Sequence, residues 1–386
     1  MGEDLSTLPA VSFAGGSRAV TTTPVVGAPN RVYADVFVPG EEPLADGEMR
    51  VTVLGSGNPW VTKAQAAGSV LCEVGNAERD LLLFDLGSGS LANFASLKLP
   101  VNKLDKVFFT HLHADHTADL ITLFGSYRKS GRMDRGLEVW GPSGSEPRFG
   151  TRYFVDAIRD ACEWDSESSR AIHSPQSFEM TANEFAVRQE AVVYERNGVT
   201  VHSFPEIHAI DGAVGYRVDF EGLSMVFSGD NGPSWPLVRG CEGGVDLLIH
   251  ECFPTADDLA EMMGMPTDLA ETIINMAHTS PRAAGKVFDL TKPRMAGLWH
   301  TMLSPTVPAA LITELRKVYD GPVVQTQDLT VFDITAEAIV ARQARIDPQP
   351  SPIAGEQRAA DPPVAVAVPD WWAEEKIPID DVLALE

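Results

Sequence analysis

A segment at residues 110–117, THLHADHT, holds three of the nine histidines of the chain together with one aspartate. The apolar run VFF precedes it, so the pattern predicts a loop that leaves a buried strand, with His111 and His113 on one side and Asp115 and His116 on the other. Imidazole nitrogens and carboxylate oxygens are the ligands that a borderline-soft divalent ion such as zinc prefers, and two such clusters can serve two ions. A helix N-terminus capped by Asp115 would explain a lone His-x-His, but the denser motif favours a metal site.

Strands and helices are predicted on both sides of this motif. Short β-rich runs bounded by Gly, Asn and Asp, from MRVTVLGSG at Met49 to KVFFTHLH, predict sheet strands with tight connections. DLITLFGSYRKS (119–130) has helical apolar spacing. Strands resume over 199–253, and helices, a late strand RMAGLWHTM and one more helix follow. The region 142–198, in which helical periodicity is broken by HSPQSFEMTANEF, is interpreted as a helical cap inserted over a β-core.

The composition is that of an ordinary globular chain, with 386 residues of which 44% are hydrophobic and 22% charged. The formal net charge of −24 disfavours nucleic acid and anionic lipid as partners unless a local basic patch overrides it. No apolar run approaches the roughly 18 residues of a membrane span. The four cysteines form no Cys-x-x-Cys pair, which favours reduced, mostly buried thiols. The N-terminus lacks the features of a signal peptide, so a cytoplasmic location is expected, or an exported one if a signal has been trimmed.

The segment HLHADH resembles the signature of the metallo-β-lactamase fold, which implies an α/β chain folded as an αββα four-layer sandwich. The resemblance also implies further ligands at strand ends. His208 ends a strand before a Gly-Tyr pair, Asp230 ends MVFSGD, and His300 ends the strand of MAGLWHTM. By this resemblance, one ion would be held by His111, His113 and His208. The second ion would be held by Asp115, His116 and His300. Asp230 would bridge the two ions.

Catalytic and supporting residues follow from the same resemblance. In ribonuclease Z and its arylsulfatase relatives, similar "HE" and "HST"-like segments supply a carboxylate–histidine pair beside the metals. Glu251 and His278 would orient one another and protonate the leaving group, although His278 could instead cap the following helix. With Asp115, they are the candidate catalytic residues. His250 is expected behind the metal ligands or in the core, and Asp85, in LLLFDLGSG, is expected to brace the ligand loop from behind.

The chemistry that the resemblance implies is hydrolysis. Two zinc ions about 3.5–4 Å apart lower the pKa of a shared water to about 7, and the resulting bridging hydroxide attacks the substrate. Manganese or iron are the alternatives to zinc. Oxygen-reducing di-iron members of the fold usually carry Glu at the position of His113, so the histidine favours hydrolysis.

The substrate is left open among several bonds. The resemblance to ribonuclease Z and arylsulfatase-type members spans roughly residues 49–335, and EVWGPSG, LLIHECF and HTSPRAAGKVF look most like the metallo-hydrolases of guanitoxin-type biosynthetic clusters. An ester, lactone, sulfate or phosphate ester of a small organic molecule is expected. A chlorinated aromatic, as in the similar chlorothalonil dehalogenases, is an alternative. Many relatives read SGDT where this chain reads SGDNGPSW, so Asn231 and Trp235 are expected on the substrate side, with Trp235 either a stacking wall or a packed loop residue.

Two other functions compete with this interpretation. Processing of tRNA 3′ ends would need a long basic arm to hold phosphates. The basic cluster YRKSGRMDR (Arg128, Lys129, Arg132, Arg135) is explained as well by a solvated helix face, so nucleic acid ranks below a small molecule. A non-catalytic binding module would lack some of the residues that bind the metals, whereas this chain has a ligand residue at all seven positions.

The chain is divided into an N-terminal extended arm (1–47), a metallo-β-lactamase-fold domain (48–345) with the cap at about 142–198, and a Pro-rich tail (346–386). Trp371 and Trp372 in the tail are costly to leave in water, so we expect them to dock onto the body or onto a partner subunit. A homodimer is expected from the family resemblance and the tail.

Overall fold

The computed structural model describes residues 23–130, 135–302, 307–347 and 369–377. Residues 1–22 of the predicted arm, Arg132 of the basic cluster and most of the predicted tail lie outside these ranges. The strands of the described residues are β1 (Val25–Gly27), β2 (Val36–Phe37), β3 (Met49–Gly55), β4 (Ser69–Val74), β5 (Leu81–Phe84), β6 (Lys106–Phe108), β7 (Leu137–Pro142), β8 (Met180–Phe185), β9 (Ala191–Arg196), β10 (Val199–Pro205), β11 (Val214–Phe220), β12 (Leu223–Phe227), β13 (Leu247–Glu251), β14 (Met295–Trp299), β15 (Val323–Gln325), β16 (Thr330–Ile334) and β17 (Ala338–Ala344).

Helices connect many of these strands. Short 3-10 turns occur at Val101–Lys103, Pro147–Phe149 and Pro175–Phe178. The α-helices of the described residues are α1 (Ser90–Ser96), α2 (Ala114–Thr117), α3 (Leu120–Ser130), α4 (Thr151–Ala161), α5 (Glu163–Ser169), α6 (Trp235–Gly240), α7 (Ala256–Met263), α8 (Thr267–Ala277), α9 (Pro281–Thr291), α10 (Val307–Leu315) and α11 (Asp370–Glu375). None of them is long and apolar enough to cross a bilayer.

The strands form two sheets that pack face to face. The first runs in the order β1-β17-β16-β3-β4-β5-β6-β7-β8, with β2 also paired to β17, and the second runs β15-β14-β13-β12-β11-β10-β9. Between them lies an apolar layer that includes Phe84, Phe108, Tyr216 and Phe227. The alternation of apolar residues along the strands sends their other side chains to the outer faces, where helices cover each sheet.

Each outer face has its own helical layer. Helices α1, α3 and α4 cover the first sheet, burying for example Phe94 and Leu123. Helices α6, α9 and α10 cover the second sheet, burying for example Phe288 and Leu311. The predicted αββα four-layer sandwich is therefore confirmed.

The region predicted as a helical cap differs from the prediction in its second half. Its first half holds the helices α4 and α5, but β8 and β9 follow and join the first and second sheets. Helix α4 also contacts β7 and β8 and buries Val155 in the outer apolar layer, so it belongs to the sandwich. Polar residues interrupt the alternation of these edge strands, which is why their sequence pattern was weak.

The basic cluster also differs from the prediction. The Arg128 side chain is fully buried, pairs with Asp165 at 2.6 Å and lies over the Phe178 ring. The prediction that the basic cluster lies on a solvated helix face is therefore wrong for Arg128. Lys129 also pairs with Asp165, and Arg135 pairs with Asp105, so these cations contact acidic side chains of the same chain.

The described part of the arm packs against the first sheet. β1 and β2 both pair with β17, so the predicted strand over 31–38 is reduced to β2. Beneath the arm, Arg50 lies over the Phe37 ring and pairs with Asp333 at 2.8 Å. Glu73 lies opposite Arg50 in the β3–β4 ladder, and burial raises the pKa of its carboxyl to about 7.

This shift predicts a pH-dependent effect of Glu73→Gln on stability. Below about pH 4 the glutamate is neutral in both the folded and unfolded states, so the variant should match the parent. As pH rises towards 7 the unfolded carboxyl ionises while the buried one does not, and the parent loses stability. The variant should therefore exceed the parent by on the order of 2 kcal/mol at pH 8. The free energy of unfolding in urea, measured at pH 5.5 and 8, checks this prediction. The control Glu195→Gln, on an exposed strand position, should show no pH-dependent difference from the parent. A pH-independent effect of Glu73→Gln would contradict the prediction.

Candidate metal centre

The candidate site lies where strands end. β5, β6 and β7 are parallel neighbours in the first sheet, and β12, β13 and β14 are parallel neighbours in the second. The carboxyl ends of parallel strands meet at one edge, where open α/β sheets usually bind ligands. The motif loop follows β6, and His208, Asp230 and His300 follow β10, β12 and β14.

Three histidines and an aspartate form the first cluster. His111 Nε2 lies 2.9 Å from His113 Nδ1, and His208 Nε2 lies 3.2 Å from the same nitrogen. Asp230 Oδ2 lies 3.8 Å from His208 Nε2. The outer nitrogen of His208, Nδ1, donates to the Ala277 carbonyl at 2.8 Å, which leaves Nε2 as the free ligand atom. Burial lowers the pKa of His111 well below its ordinary value, and the neutral ring is the form that binds metals.

The second cluster shares Asp230 with the first. Asp230 Oδ1 lies 3.3 Å from His116 Nε2 and 3.4 Å from His300 Nε2. Asp115 Oδ2 lies 3.3 Å from His300 Nε2 and 3.5 Å from His116 Nε2. The two carboxylate oxygens of Asp230 therefore face different clusters, as the predicted bridging ligand requires.

The donor set fits a pair of divalent cations. The potential ligand atoms within each cluster all lie within 4.8 Å of one another. His116 Nε2 and Asp230 Oδ1 are buried and have no hydrogen-bond partner in the described chain. A buried polar atom without a partner costs about 1–3 kcal/mol, and a cation between these atoms would satisfy both. The structure thus brings together all seven predicted ligands, with nitrogen and oxygen donors only.

Asp85 lies behind the motif loop and contacts Thr110 and His116. It is fully buried, and its Oδ1 accepts from the Thr110 main-chain N–H at 2.8 Å. Its Oδ2 lies 2.8 Å from both Thr110 Oγ1 and His116 Nδ1. The carboxylate therefore fixes the ring orientation of His116 and directs Nε2 to the cluster, as carboxylates behind metal-bound histidines do.

We predict that Asp85→Asn weakens metal binding by about 10- to 100-fold. One carboxylate oxygen becomes an amide NH₂, which cannot accept from His116 Nδ1 or from Thr110 Oγ1. Asparagine tolerates the left-handed backbone at this position (φ 56°), so the fold should survive. Competition with a chelator measures the affinity, and urea unfolding of the chelated protein is the control. An unchanged affinity would show that Asp85 only supports the strand.

Backbone geometry at the strand ends also serves the site. His300, like Asp85, has a positive φ (57°) directly after its strand, a conformation that costs a non-glycine residue about 1–3 kcal/mol. Gly229 has φ 60°, and a Cβ there would lie 2.7 Å from the Thr110 side chain. The glycine of the SGD segment is thus needed to bring Asp230 against the motif loop.

Glu251 and His278 form the predicted pair, but only His278 is partly exposed to solvent. Glu251 is fully buried; its Oε1 accepts from His278 Nδ1 at 2.5 Å, and its Oε2 accepts from the main-chain N–H groups of Asn231 and Thr279. The His278 ring stacks on Phe253 with centroids 3.9 Å apart and keeps 14% of its side chain exposed. Burial lowers the pKa of His278, but the Glu251 carboxylate outweighs it and the net shift is upward. Of the two, only His278 is exposed enough to contact a bound molecule; the buried Glu251 contacts His278 and, through Oε1 at 3.4 Å, His300 Nδ1.

Three further predicted positions have different outcomes. His250 donates to the Glu251 carbonyl and packs against Phe288 of the helix layer, so it lies in the core, one of its two expected positions. Asn231 is fully buried, which is wrong for a residue lining the substrate side. Trp235 is 67% exposed at the start of α6, which is wrong for a packed loop residue; its role as a stacking wall stays a prediction.

Sequence reasoning missed Glu206, which holds the loop after Asp230. Its Oε2 accepts from Ser234 Oγ at 2.7 Å and from Asn231 Nδ2 at 3.4 Å. Burial raises the pKa of this carboxyl to about 8. Glu206 lies in the segment PEIH, where no motif marks it, so the sequence does not predict the contact. An apolar cavity beside the first cluster was also missed, because its side chains read as ordinary helix and loop residues.

The comparison with protein families decides the family. The model of the beta-lactamase superfamily domain matches residues 82–301, more than half of the chain, and spans the motif and all later ligands. The chain belongs to the beta-lactamase superfamily. Membership of this superfamily agrees with the predicted resemblance and implies a hydrolase that binds divalent metal ions.

Individual relatives fit the predicted branch. A ribonuclease Z of Mycobacterium marinum is 31% identical over 209 residues, which cover 52% of this chain and 70% of that protein. Among solved structures, the metallo-β-lactamase fold protein YhfI from Bacillus subtilis has a TM-score of 0.55 at 20% identity, covering 74% of this chain and 100% of its own. Human tRNase Z, short form, has a TM-score of 0.52 at 20% identity, covering 74% and 98%. These two likenesses show the fold.

Proposed function

We propose that this superfamily member is a two-metal hydrolase that acts on a small organic molecule, with zinc as its metal. The observation that supports this best is Asp230, whose two carboxylate oxygens face two complete clusters. Imidazole and carboxylate donors suit zinc better than magnesium or calcium. The proposal includes zinc as the metal, two filled metal sites and a small substrate. It also includes a homodimer, which light scattering would test.

The ligand residues and the pair behind them have separate tasks in this proposal. When bound, the two ions would supply Lewis acidity and a water of lowered pKa. His111, His113 and His208 would hold one ion, and the second cluster the other, with Asp230 shared. His278, the partly exposed member of the pair, would give its proton to the leaving group, and Glu251 would keep the ring in place through Nδ1.

The choice of a small molecule over RNA rests on charge. The chain carries a net charge of −24, and the predicted basic cluster contains a buried arginine paired with Asp165. A phosphate backbone is held by exposed cations. RNA phosphodiester cleavage is the second candidate, because the relatives include ribonuclease Z. Chloroaromatic hydrolysis and a binding role without turnover remain further alternatives to be separated by assay.

Metal analysis combined with a substrate panel tests the proposal. Protein purified without added metal should contain about two zinc ions per chain by elemental analysis. It should hydrolyse at least one of p-nitrophenyl acetate, bis(p-nitrophenyl) phosphate and p-nitrophenyl sulfate, and lose that activity with a chelator. Cleavage of a 3′-extended tRNA precursor in preference to all three would favour the RNA candidate. Bound zinc with no turnover of any of these substrates would leave chloroaromatic hydrolysis and the binding role, and release of chloride from a chlorinated aromatic would separate those two.

A further inference from the structure

A cavity of about 330 Å³ opens directly beside the first cluster. The three histidines of that cluster form one wall, so a molecule in the cavity lies against the proposed metal ligands. The volume is within the range of roughly 300–1,000 Å³ that is usual for small-molecule sites. The remaining wall is mostly apolar and is formed by Leu112, Phe149, Tyr153, Phe154 and Ile210.

Three separate parts of the chain build this apolar wall. Leu112 lies between two ligands of the motif loop, and Ile210 lies in the loop after His208. Phe149, Tyr153 and Phe154 come from the turn before α4 and from its first turn. The Phe154 ring is fixed by an edge-to-face contact with the buried Phe109, with centroids 6.0 Å apart.

Much of this apolar surface faces water instead of the core. Phe149, Tyr153 and Ile210 are 41%, 58% and 67% exposed. Single exposed apolar residues are common, but a group of them around a cavity marks a binding surface. Because the cavity is continuous with the metal ligands, its occupant is expected to be a part of the substrate.

The charges at the cavity indicate a neutral occupant. Arg148 and Asp211 are its charged lining residues apart from the histidines. Arg148 pairs with Glu146 at 3.0 Å and lies over the Phe149 ring, and Asp211 pairs with Arg188 at 2.7 Å. Each charge is therefore balanced by a neighbour, and the opposite signs cancel across the opening.

We propose that this cavity binds a neutral aromatic or branched apolar group of the substrate, next to the bond that is cleaved. The substrate class is then an ester of an aromatic or bulky apolar acid or alcohol. This inference rests on the proposed hydrolase function for the bond, but the binding of the apolar group depends on the cavity alone. It accordingly has one test with turnover and one without.

The turnover test compares p-nitrophenyl benzoate with p-nitrophenyl acetate. The parent should show a kcat/KM at least tenfold higher for the benzoate, since the phenyl ring gains the apolar wall. In the double variant Phe149→Ala/Tyr153→Ala the benzoate-to-acetate ratio should fall at least tenfold. Trp164→Ala removes an aromatic side chain that is 83% exposed in α5, outside the cavity, and should keep the parent ratio. Equal effects on both esters would overturn the proposal.

The binding test uses 2-naphthol and protein treated with EDTA, so it does not depend on catalysis. Fluorescence titration should show saturable binding that weakens at least tenfold in the double variant and is unchanged in Trp164→Ala. If the parent hydrolyses neither of these esters nor bis(p-nitrophenyl) phosphate nor p-nitrophenyl sulfate, but binds 2-naphthol in this way, the hydrolase proposal fails and the cavity assignment stands. No saturable binding overturns the cavity assignment. Displacement of 2-naphthol by a short single-stranded RNA, with no benzoate preference, also overturns it, because the wall would then stack a nucleobase.

Discussion

Asp230→Ala is expected to release both metal ions and to lower kcat/KM by at least about 10³-fold. Its two oxygens lie 3.3 Å from His116 Nε2, 3.4 Å from His300 Nε2 and 3.8 Å from His208 Nε2, so one side chain serves both clusters. In the proposed two-metal site, alanine would leave each ion one ligand short and would remove the negative charge that offsets two dications held close together. Elemental analysis of the purified variant and steady-state kinetics on the best substrate measure the two effects.

A matched control separates loss of metal from loss of fold. Asp246 is also buried and lies directly before β13, at the opposite end of that strand from the site, where it accepts from the Ser224 main-chain N–H at 2.7 Å. Asp246→Asn should therefore lose stability but keep about two ions per chain and the parent kcat/KM. If Asp230→Ala retains both ions, the bridging role is wrong; if Asp246→Asn loses them as well, the effect of Asp230→Ala reflects the fold and not coordination.

The spatial clustering of the seven proposed metal ligands could be predicted from sequence because each lies at a point where local pattern is strong. His300 directly follows the buried strand β14, Asp230 lies shortly after the end of the buried strand β12, and Gly229 marks the sharp change of direction before Asp230. Since strands of the same direction end at one edge, the order of these residues along the chain was enough to place them together. The sandwich follows for the same reason, because its strands and helices keep clear apolar periodicity.

Positions whose role depends on distant contacts could not be predicted. Asn231 follows Asp230 in a loop that looks exposed, yet Glu206, 25 residues earlier, and Glu251, 20 residues later, hold it in the interior. The edge strands β8 and β9 have weak alternation and exist because β7 and β10 offer them partners. The aromatic wall of the cavity reads as the apolar face of a helix, and only the tertiary structure shows that Tyr153 faces water.

His278→Ala is expected to slow hydrolysis in proportion to how much the leaving group needs a proton. For esters of aliphatic alcohols the loss should be about 10²- to 10⁴-fold, the usual contribution of a general acid. For p-nitrophenyl esters, whose leaving group departs as a stable anion, the loss should be small. The structural reason is that the His278 ring is held by Glu251 on one nitrogen and by Phe253 on one face, while part of it stays exposed beside the clusters. The dependence of kcat on the leaving-group pKa measures this.

Two further variants decide between proton transfer and mere support. Glu251→Gln keeps the shape behind His278 and His300 but removes the charge. It should show the same leaving-group dependence at smaller size, because the His278 ring remains and its hydrogen-bond partner is weakened. His202→Ala, on a half-exposed ring in β10 near Asp219, should leave the dependence unchanged. A uniform loss across all leaving groups in His278→Ala, with fewer bound ions, would mean that His278 positions the second cluster through His300. The slope of kcat against leaving-group pKa distinguishes the two roles, because the loss of a residue that only supports a metal ligand should affect all leaving groups equally.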